Sequence, residues 1–261
     1  MALRKDSFAV GEFYHIYNRG NSKQKIFIDE KDRDRFVKLL YLCNSTQNIR
    51  FREDIIEKKI DPWDFKRGKS IVSIGAWVLM SNHFHLYLTP SPRSLLGDDS
   101  ISMFMKKLCT GYSMYFNKKY NRTGKLFEGA FKSLRMVRDE QAKYIFSYIH
   151  LNPVKLIDSL WMERGLKNNK KTREFLNKYR WSSYQDYIGQ KRPESKILSR
   201  KDFPTYFLSK KAFKGEIFEW LNSKQFLLPQ GDSLGRGKIP TESIEMYKNK
   251  KEIISAYQAS L

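Results

Sequence analysis

The chain has 261 residues, of which 49 are Lys or Arg and 28 are Asp or Glu, so its formal net charge is +21. Hydrophobic residues make up 41% of the chain and aromatic residues 15%, which excludes a wholly disordered protein and is enough to form a sizeable core. The charge excess favours a polyanionic partner. The aromatic residues favour nucleic acid, because bases stack on rings while Lys and Arg contact phosphates.

The cysteines and the N-terminal residues indicate a cytoplasmic protein. Cys43 and Cys109 both lie in apolar helical patterns and have the character of small core residues in a reducing compartment. Residues 1–20 are polar and charged, unlike a signal peptide, and no uninterrupted apolar run approaches the ~20 residues of a membrane span. We therefore expect a cytoplasmic location and no membrane partner.

The first predicted elements are a strand and a helix. Phe13–Arg19 has the composition of a strand, and the polar cluster Asn18–Asn21 is a turn that ends it. Asp29 is a suitable N-cap for a helix that extends to about Asn44, because apolar residues recur at helical spacing along one face. The following segment, Gln47–Lys69, is charged and irregular.

A β-hairpin is predicted next. Ile71–Met80 and His83–Leu88 are β-rich runs, and Ser81 and Asn82 between them are turn formers. After a loop at Pro90–Asp99, a second helix is predicted from apolar residues at helical spacing, which are Ile101, Phe104, Met105, Leu108, Tyr112, Tyr115 and Phe116.

The remaining pattern completes an α+β fold. Leu126–Val137 is strand-like, and a third helix begins at Asp139 and ends near Pro153. The order β-α-β-β-α-β-α contains a hairpin, so we predict an antiparallel sheet with helices packed on it. We place the core domain at residues 1–189. Residues 190–261 form a basic, mostly helical C-terminal extension of unknown role, with helices around Phe213–Leu221 and Ile244–Tyr257.

Two histidines in the hairpin are candidate metal ligands. His83 and His85 alternate along a strand and so project from the same face, where two imidazoles can bind one metal ion with a third ligand from elsewhere. On their own, they are equally consistent with polar residues on an exposed sheet face.

The third helix carries a stripe of candidate catalytic residues. Tyr144, Tyr148 and Asn152 lie at i, i+4 and i+8 and so share one side of the helix. A metal ion or a cationic environment favours the ionised, nucleophilic form of a phenol, and an amide oxygen suits a hard divalent cation. Aromatic residues at this spacing are also common in cores.

Taken together, the motifs resemble a known family. The run Gly75–Leu86 (GAWVLMSNHFHL) resembles the strand hairpin of single-tyrosine HUH transposases, which are named for a His–hydrophobe–His motif. Tyr148–Val154 (YIHLNPV) resembles the tyrosine helix of that family, especially of REP-associated tyrosine transposases. Further segments match in family order; these are Leu108–Tyr112, Arg122–Gly129, Phe131–Lys132, Trp181–Tyr184 and Tyr187. The resemblance covers roughly residues 13–189.

The resemblance implies a ferredoxin-like HUH nuclease core and a metal-dependent transposase that cleaves and rejoins single-stranded, hairpin-containing DNA. By this resemblance Tyr148 is the nucleophile that forms a 5′-phosphotyrosine intermediate. His83, His85 and Asn152 are the ligands of a Mg²⁺ or Mn²⁺ ion. Tyr144 is an alternative nucleophile, because paired tyrosines four residues apart resemble those of rolling-circle replication initiators and relaxases. A non-catalytic nucleic-acid-binding protein is the other alternative.

Candidate DNA contacts follow from the basic residues near these motifs, which are Arg19, Lys106, Lys107, Arg122, Lys125 and Lys132. The basic stretch Lys167–Arg180 is either a DNA-facing arm or a solubilising loop. The run Gly231–Lys238 departs from a phosphate-binding loop in spacing, and Ile239 replaces its hydroxyl residue, so we expect no nucleotide cofactor. The expected partner is single-stranded or hairpin DNA, bound by a monomer or homodimer.

Overall fold

The computed structural model describes residues 7–94, 96–161 and 165–222, all of which belong to one compact unit. Its centre is an antiparallel sheet with the strand order β2-β3-β1-β4. The strands are β1 (Phe13–Arg19), β2 (Val72–Leu79), β3 (His83–Pro90) and β4 (Lys132–Met136). The helices are α1 (Glu30–Leu42), α2 (Ser100–Lys119), α3 (Asp139–Leu151), α4 (Asn169–Lys178), α5 (Tyr184–Tyr187) and α6 (Lys210–Asn222). The predicted α+β class and element order are confirmed.

Helices α1 and α2 cover one face of the sheet. Ile16, Phe84 and Leu86 project from this face into a continuous apolar core with Phe36 of α1 and Tyr112 of α2. The rings of Phe36 and Phe84 lie 4.9 Å apart, centroid to centroid. Burying these rings supplies the main favourable term in folding, because apolar surface leaves water.

Helix α3 covers the opposite face, and its C-terminal end is fixed to the edge of β2. The segment after α4 runs along β2, where Ser183 N–H donates to the carbonyl oxygen of Trp77. Ser183 Oγ lies 2.8 Å from Nε2 of His150, and Nδ1 of His150 lies 2.8 Å from the carbonyl oxygen of Phe146. His150 is therefore a buried structural residue that holds the last turn of α3 on the sheet.

Two predicted elements differ from the structure. The predicted strand over residues 126–137 is ordered as a strand only at β4, because its first part is held by other contacts. Phe127 forms an isolated bridge with Gly20, and the carbonyl oxygen of Gly129 accepts a hydrogen bond from the Asn18 side chain. The basic stretch at residues 167–180 contains a helix, α4, whose N-cap is Asn168.

The chain continues over the sheet after Gly189. Phe203 packs on Gly75 of β2 so closely that a Cβ at that position would lie 2.8 Å from the Phe203 ring. The predicted boundary at residue 189 stays a prediction. The helix predicted around Phe213 is present as α6, whereas the helix at Ile244–Tyr257 and the run Gly231–Lys238 lie outside the described residues. None of the helices in the described part of the chain has the length and apolar character of a membrane span.

Candidate active site

The two histidines of the hairpin lie on the sheet face that α3 covers. His83 and His85 occupy alternate positions of β3, and their ring centroids are 5.0 Å apart. Nδ1 of His83 lies 2.7 Å from Oδ1 of Asn82. A carbonyl oxygen can only accept, so Nδ1 carries the proton and Nε2 carries the lone pair. This is the tautomer in which a histidine binds a metal through Nε2.

A third histidine, His15 of β1, lies beside His85. Its Nε2 is 3.0 Å from Nδ1 of His85, and the two rings are inclined by only 18°. His15 is fully buried. The sequence analysis did not select this residue. In the sequence, His15 only alternates with Tyr17 and Arg19 on β1. This alternation places it near His85 only once the pairing of β1 with β3 is known.

Tyr148 of α3 contacts His85, one of the two hairpin histidines. Its ring centroid is 5.5 Å from that of His85, at an interplanar angle of 80°, and Tyr144 stacks on Tyr148 at 6.3 Å. Burial raises the pKa of both phenols above the usual value. For Tyr148, the neighbouring Tyr144 adds to the rise in pKa, and a contact with Asn152 opposes it. The ring contact with His85 places Tyr148 at the centre of the site.

Asn152 lies one helical turn after Tyr148 and keeps helical backbone angles (φ −52°, ψ −39°), even though it precedes Pro153. Its side chain is fully buried, and its Oδ1 and Nδ2 have no well-formed hydrogen bond with a described residue. The side chain lies close enough to His83 and Tyr148 to shift the pKa values of both. The structure therefore brings together His83, His85, Tyr148 and Asn152.

Lys155 is a functional candidate that the sequence analysis missed. Its Nζ lies 5.6 Å from the centroid of the Tyr148 ring. The side chain is half-buried, and its ammonium group makes no ion pair or hydrogen bond with a described residue. The available signal was its spacing of seven residues from Tyr148, which places both on one side of a helix.

The histidines of the site are neutral at neutral pH. Burial, followed by the positive charge of Lys155, lowers the pKa of His83 to about 4. Burial also holds the pKa of His85 well below its usual range, with smaller contributions from His83, His15 and Lys155, and it lowers the pKa of His15 to about 3. Neutral imidazoles keep the lone pairs that a metal ion requires.

The donor set of the site suits a divalent cation. Within the described residues, no three side chains of the His, Cys, Asp and Glu types are grouped so that they could hold a metal ion. His83, His85 and Asn152 instead offer two neutral imidazoles and a buried carboxamide that has no well-formed hydrogen bonds. Imidazole nitrogens and amide oxygens are both ligands of divalent ions, and three protein ligands leave coordination positions open.

The candidate DNA contacts are spread over the molecule. Arg19 of β1 pairs with His83 in the sheet, whereas Lys132 of β4 pairs with Tyr17 and is separated from His85 by strand β1. Arg19 also forms an ion pair with Glu128. Arg122 and Lys125 lie in the loop between α2 and β4.

The other two candidates, Lys106 and Lys107, are on α2, which packs on the opposite face of the sheet. The amine of Lys107 donates to the carbonyl oxygens of Ser45 and Gln47, just after α1 ends. The structure thus uses Lys107 to hold the end of α1. Of the six basic residues, Arg19 is the one that the sheet places next to a site residue, and Lys132 lies one strand farther away.

The comparisons with known proteins concern the fold. No protein-family model matches the chain, and no curated protein matches it. Among solved structures, the chain is similar to a REP-associated tyrosine transposase bound to a REP hairpin, with 13% identity and a TM-score of 0.43 over 80% of this chain and 92% of the other. It is also similar to a candidate transposase from Deinococcus radiodurans R1, with 17% identity and a TM-score of 0.31 over 56% of this chain and 95% of the other.

A third similar structure is tRNA(His) guanylyltransferase from Saccharomyces cerevisiae, with 12% identity and a TM-score of 0.31 over 93% of this chain and 96% of the other. One fold can host several activities, so the function is argued from the residues of the site.

Proposed function

We propose that the protein is a metal-dependent transposase that cleaves and rejoins single-stranded DNA through a covalent tyrosine intermediate. The observation that supports this function is the contact between Tyr148 and His85, with Asn152 buried beside Tyr148 and His83. Strand cleavage of this kind uses a nucleophile, ligands for a divalent ion and basic residues nearby. It needs no ATP.

His83, His85 and Asn152 would hold a Mg²⁺ or Mn²⁺ ion. Such an ion supplies Lewis-acid polarisation of the scissile phosphate and favours ionisation of a nearby phenol. The chain keeps both histidines neutral by burial and holds His83 in the Nε2-binding tautomer through Asn82. The protein itself thus keeps both histidines in the neutral form, and His83 in the tautomer, that can bind a metal ion.

Tyr148 is the proposed nucleophile. Its phenol oxygen attacks the scissile phosphorus, the bond from phosphorus to the 3′-oxygen breaks, and the 5′ end stays linked to the tyrosine. The phenol loses one proton and the 3′-oxygen gains one, so the step is balanced without a co-reactant. Attack of a 3′-hydroxyl on the phosphotyrosine reverses the reaction and rejoins a strand. Because burial raises the pKa of Tyr148, the phenol needs help to ionise, which fits a metal-dependent step.

The proposed substrate is single-stranded DNA that contains a hairpin. The motifs Gly75–Leu86 and Tyr148–Val154 suggest this class through their resemblance to REP-associated tyrosine transposases. The net charge of +21 suits a polyanion, and Arg19 lies beside His83 on the sheet, with Lys132 one strand away from His85.

The test is formation of a covalent adduct. The full chain is incubated with a labelled hairpin oligonucleotide and Mn²⁺, and denaturing gels show any protein that retains the label. The wild type and Tyr144→Phe are expected to form the adduct, and Tyr148→Phe is expected to lose it entirely. Peptide mass spectrometry then locates the modified tyrosine. Tyr144→Phe is a matched control, because Tyr144 stacks on Tyr148 and is equally exposed at 5%.

The outcomes separate the alternatives. An adduct in Tyr148→Phe but not in Tyr144→Phe would make Tyr144 the nucleophile. Loss of cleavage in both variants would favour a two-tyrosine mechanism of the kind used by replication initiators and relaxases. Binding of the hairpin by the wild type without any adduct would favour a non-catalytic nucleic-acid-binding protein.

A further inference from the structure

Lys155 is a half-buried cation in the site that has no counterion within the part of the chain that the structure describes. It lies in the tight turn Asn152–Leu156 that follows α3, and its Nζ is 5.6 Å from the Tyr148 ring centroid. Among the described residues, no carboxylate pairs with it and no carbonyl accepts a hydrogen bond from it. A lysine that is only structural would either extend into water or pair with an acid, because burying an unpaired charge is unfavourable.

Lys155 also acts on the two histidines of the site, because its positive charge lowers the pKa of His83 and of His85. Its own pKa is lowered by burial. A positive charge next to two histidines and a buried tyrosine makes the site attractive to an anion that enters it.

We propose that Lys155 is a catalytic residue that binds a non-bridging oxygen of the scissile phosphate and stabilises the negative charge of the transition state. The inference rests on the proposed function and adds to it a second source of positive charge besides the metal ion. The lysine remains protonated throughout and takes no part in proton transfer. Its three N–H donors match a phosphate oxygen, which would satisfy an ammonium that has no hydrogen-bond acceptor among the described residues.

The first experiment compares rate with stability. Lys155→Met keeps the length of the side chain and removes the charge. Its adduct formation is expected to be about 100- to 1,000-fold slower than that of the wild type, the usual loss when one oxyanion donor is removed. Lys155→Arg should recover part of the rate. The thermal unfolding midpoint of Lys155→Met should equal or exceed that of the wild type. If Lys155 had only a structural role, its replacement would lower this midpoint.

A second experiment tests the contact with the phosphate directly. Equilibrium DNA binding is measured in the Tyr148→Phe background, so that no cleavage occurs. The scissile position in the oligonucleotide is the one at which the wild type forms its adduct. A neutral methylphosphonate at the scissile position should weaken binding several-fold when Lys155 is present. It should cause a clearly smaller loss when Lys155→Met is combined with Tyr148→Phe, because the contact with Lys155 is then already absent and only the contact with a metal ion would be left to lose.

The control is Lys31→Met, an exposed lysine on α1 across the sheet, which should change neither the rate nor the methylphosphonate effect. An equal methylphosphonate penalty with and without Lys155 would overturn the inference about Lys155 while leaving the proposed function intact. Absence of any adduct in the wild type would instead overturn the proposed function, and the inference about Lys155 with it.

Discussion

His15 has the geometry of a residue that positions a ligand. For His85 to bind a cation through Nε2, its Nδ1 must carry the proton and donate it to an acceptor. The Nε2 of His15 lies 3.0 Å from that Nδ1. Burial keeps His15 neutral by lowering its pKa to about 3, so its Nε2 can accept. Hydrogen bonds of this kind fix the tautomer and the ring orientation of metal-binding histidines.

We therefore expect His15→Phe to weaken Mn²⁺ binding by about 10- to 100-fold, the usual loss when such a partner is removed. Isothermal titration calorimetry on the DNA-free protein measures this affinity without reference to activity. His15→Gln is the matched variant, because its amide oxygen can still accept from His85 and should restore part of the affinity. Equal affinity in the wild type and His15→Phe would show that His15 only fills space.

At the level of single residues, the sequence predicted those that follow a local period. Strand alternation placed His83 and His85 on one face, and helical spacing placed Tyr148 and Asn152 on one stripe. His15 could not be found in this way, because its contact with His85 depends on how two distant strands pair. Lys155 shares the helical stripe, but the sequence gives no sign that it lacks a counterion among the described residues, because that depends on the surrounding structure.

At the level of elements, Asp32 connects the start of α1 with the end of α2. Its side chain is fully buried and accepts hydrogen bonds from the backbone N–H of Ile28 and from the side chains of Tyr120 and Lys119, the last at 2.7 Å. Asp29 and Asp32 also form a reciprocal N-cap at the start of α1. One carboxylate thus satisfies donors from two helices that form the main core.

Asp32→Asn should lower the free energy of unfolding by about 1–3 kcal/mol, because a carboxamide cannot accept all the hydrogen bonds that the carboxylate accepts, although Lys119 keeps its ion pair with Asp29. Urea unfolding at neutral pH measures this loss. Asp34→Asn is the control on the same helix. Its pair with Lys38 is partly exposed, so its loss should stay below about 1 kcal/mol. Similar losses for the two variants would contradict a special role for Asp32.

The same carboxylate predicts how stability depends on pH. Burial acts to raise the pKa of Asp32, but hydrogen bonds from Lys119, Tyr120 and the backbone outweigh it and hold the pKa below its usual value. The unfolded chain then binds more protons than the folded one in acid, so this stabilisation is present above the unfolded pKa of about 3.9 and is lost as the pH falls through the lower folded value. Asp32→Asn should accordingly show a flatter stability profile between neutral and acidic pH.

The elements that the sequence predicted well are those with local signals. Asp29 caps α1, and the turn Ser81–Asn82 separates β2 from β3. The contacts of Trp181–Ser183 with the edge of β2 were not predicted, because this segment has no period of its own and pairs with residues about a hundred positions away. Likewise, Asn152 keeps a helical backbone before Pro153 because surrounding contacts outweigh the local preference.

At the scale of the whole molecule, the structure shows where part of the net charge of +21 lies. Helix α4 carries exposed basic residues, among them Lys170 and Lys171, and it packs beside the turn Asn152–Leu156 that holds two residues of the site. Its buried side is formed by Thr172 and Leu176. A basic helix next to the site favours the DNA-facing arm over the solubilising loop, the two alternatives that the sequence left open for this stretch.

The double variant Lys170→Gln/Lys171→Gln tests this assignment against Lys31→Gln/Lys118→Gln on α1 and α2, whose side chains are exposed across the sheet. Each pair lowers the net charge equally, from +21 to 21 − 2 = +19, so general attraction to DNA changes equally. If α4 binds DNA phosphates, its double variant should reduce the slope of log affinity against log salt concentration by about 1.4, or ~0.7 for each single-strand phosphate that is no longer neutralised. Fluorescence anisotropy with a labelled hairpin measures both slopes, and equal slopes for the two variants would leave α4 a solubilising surface.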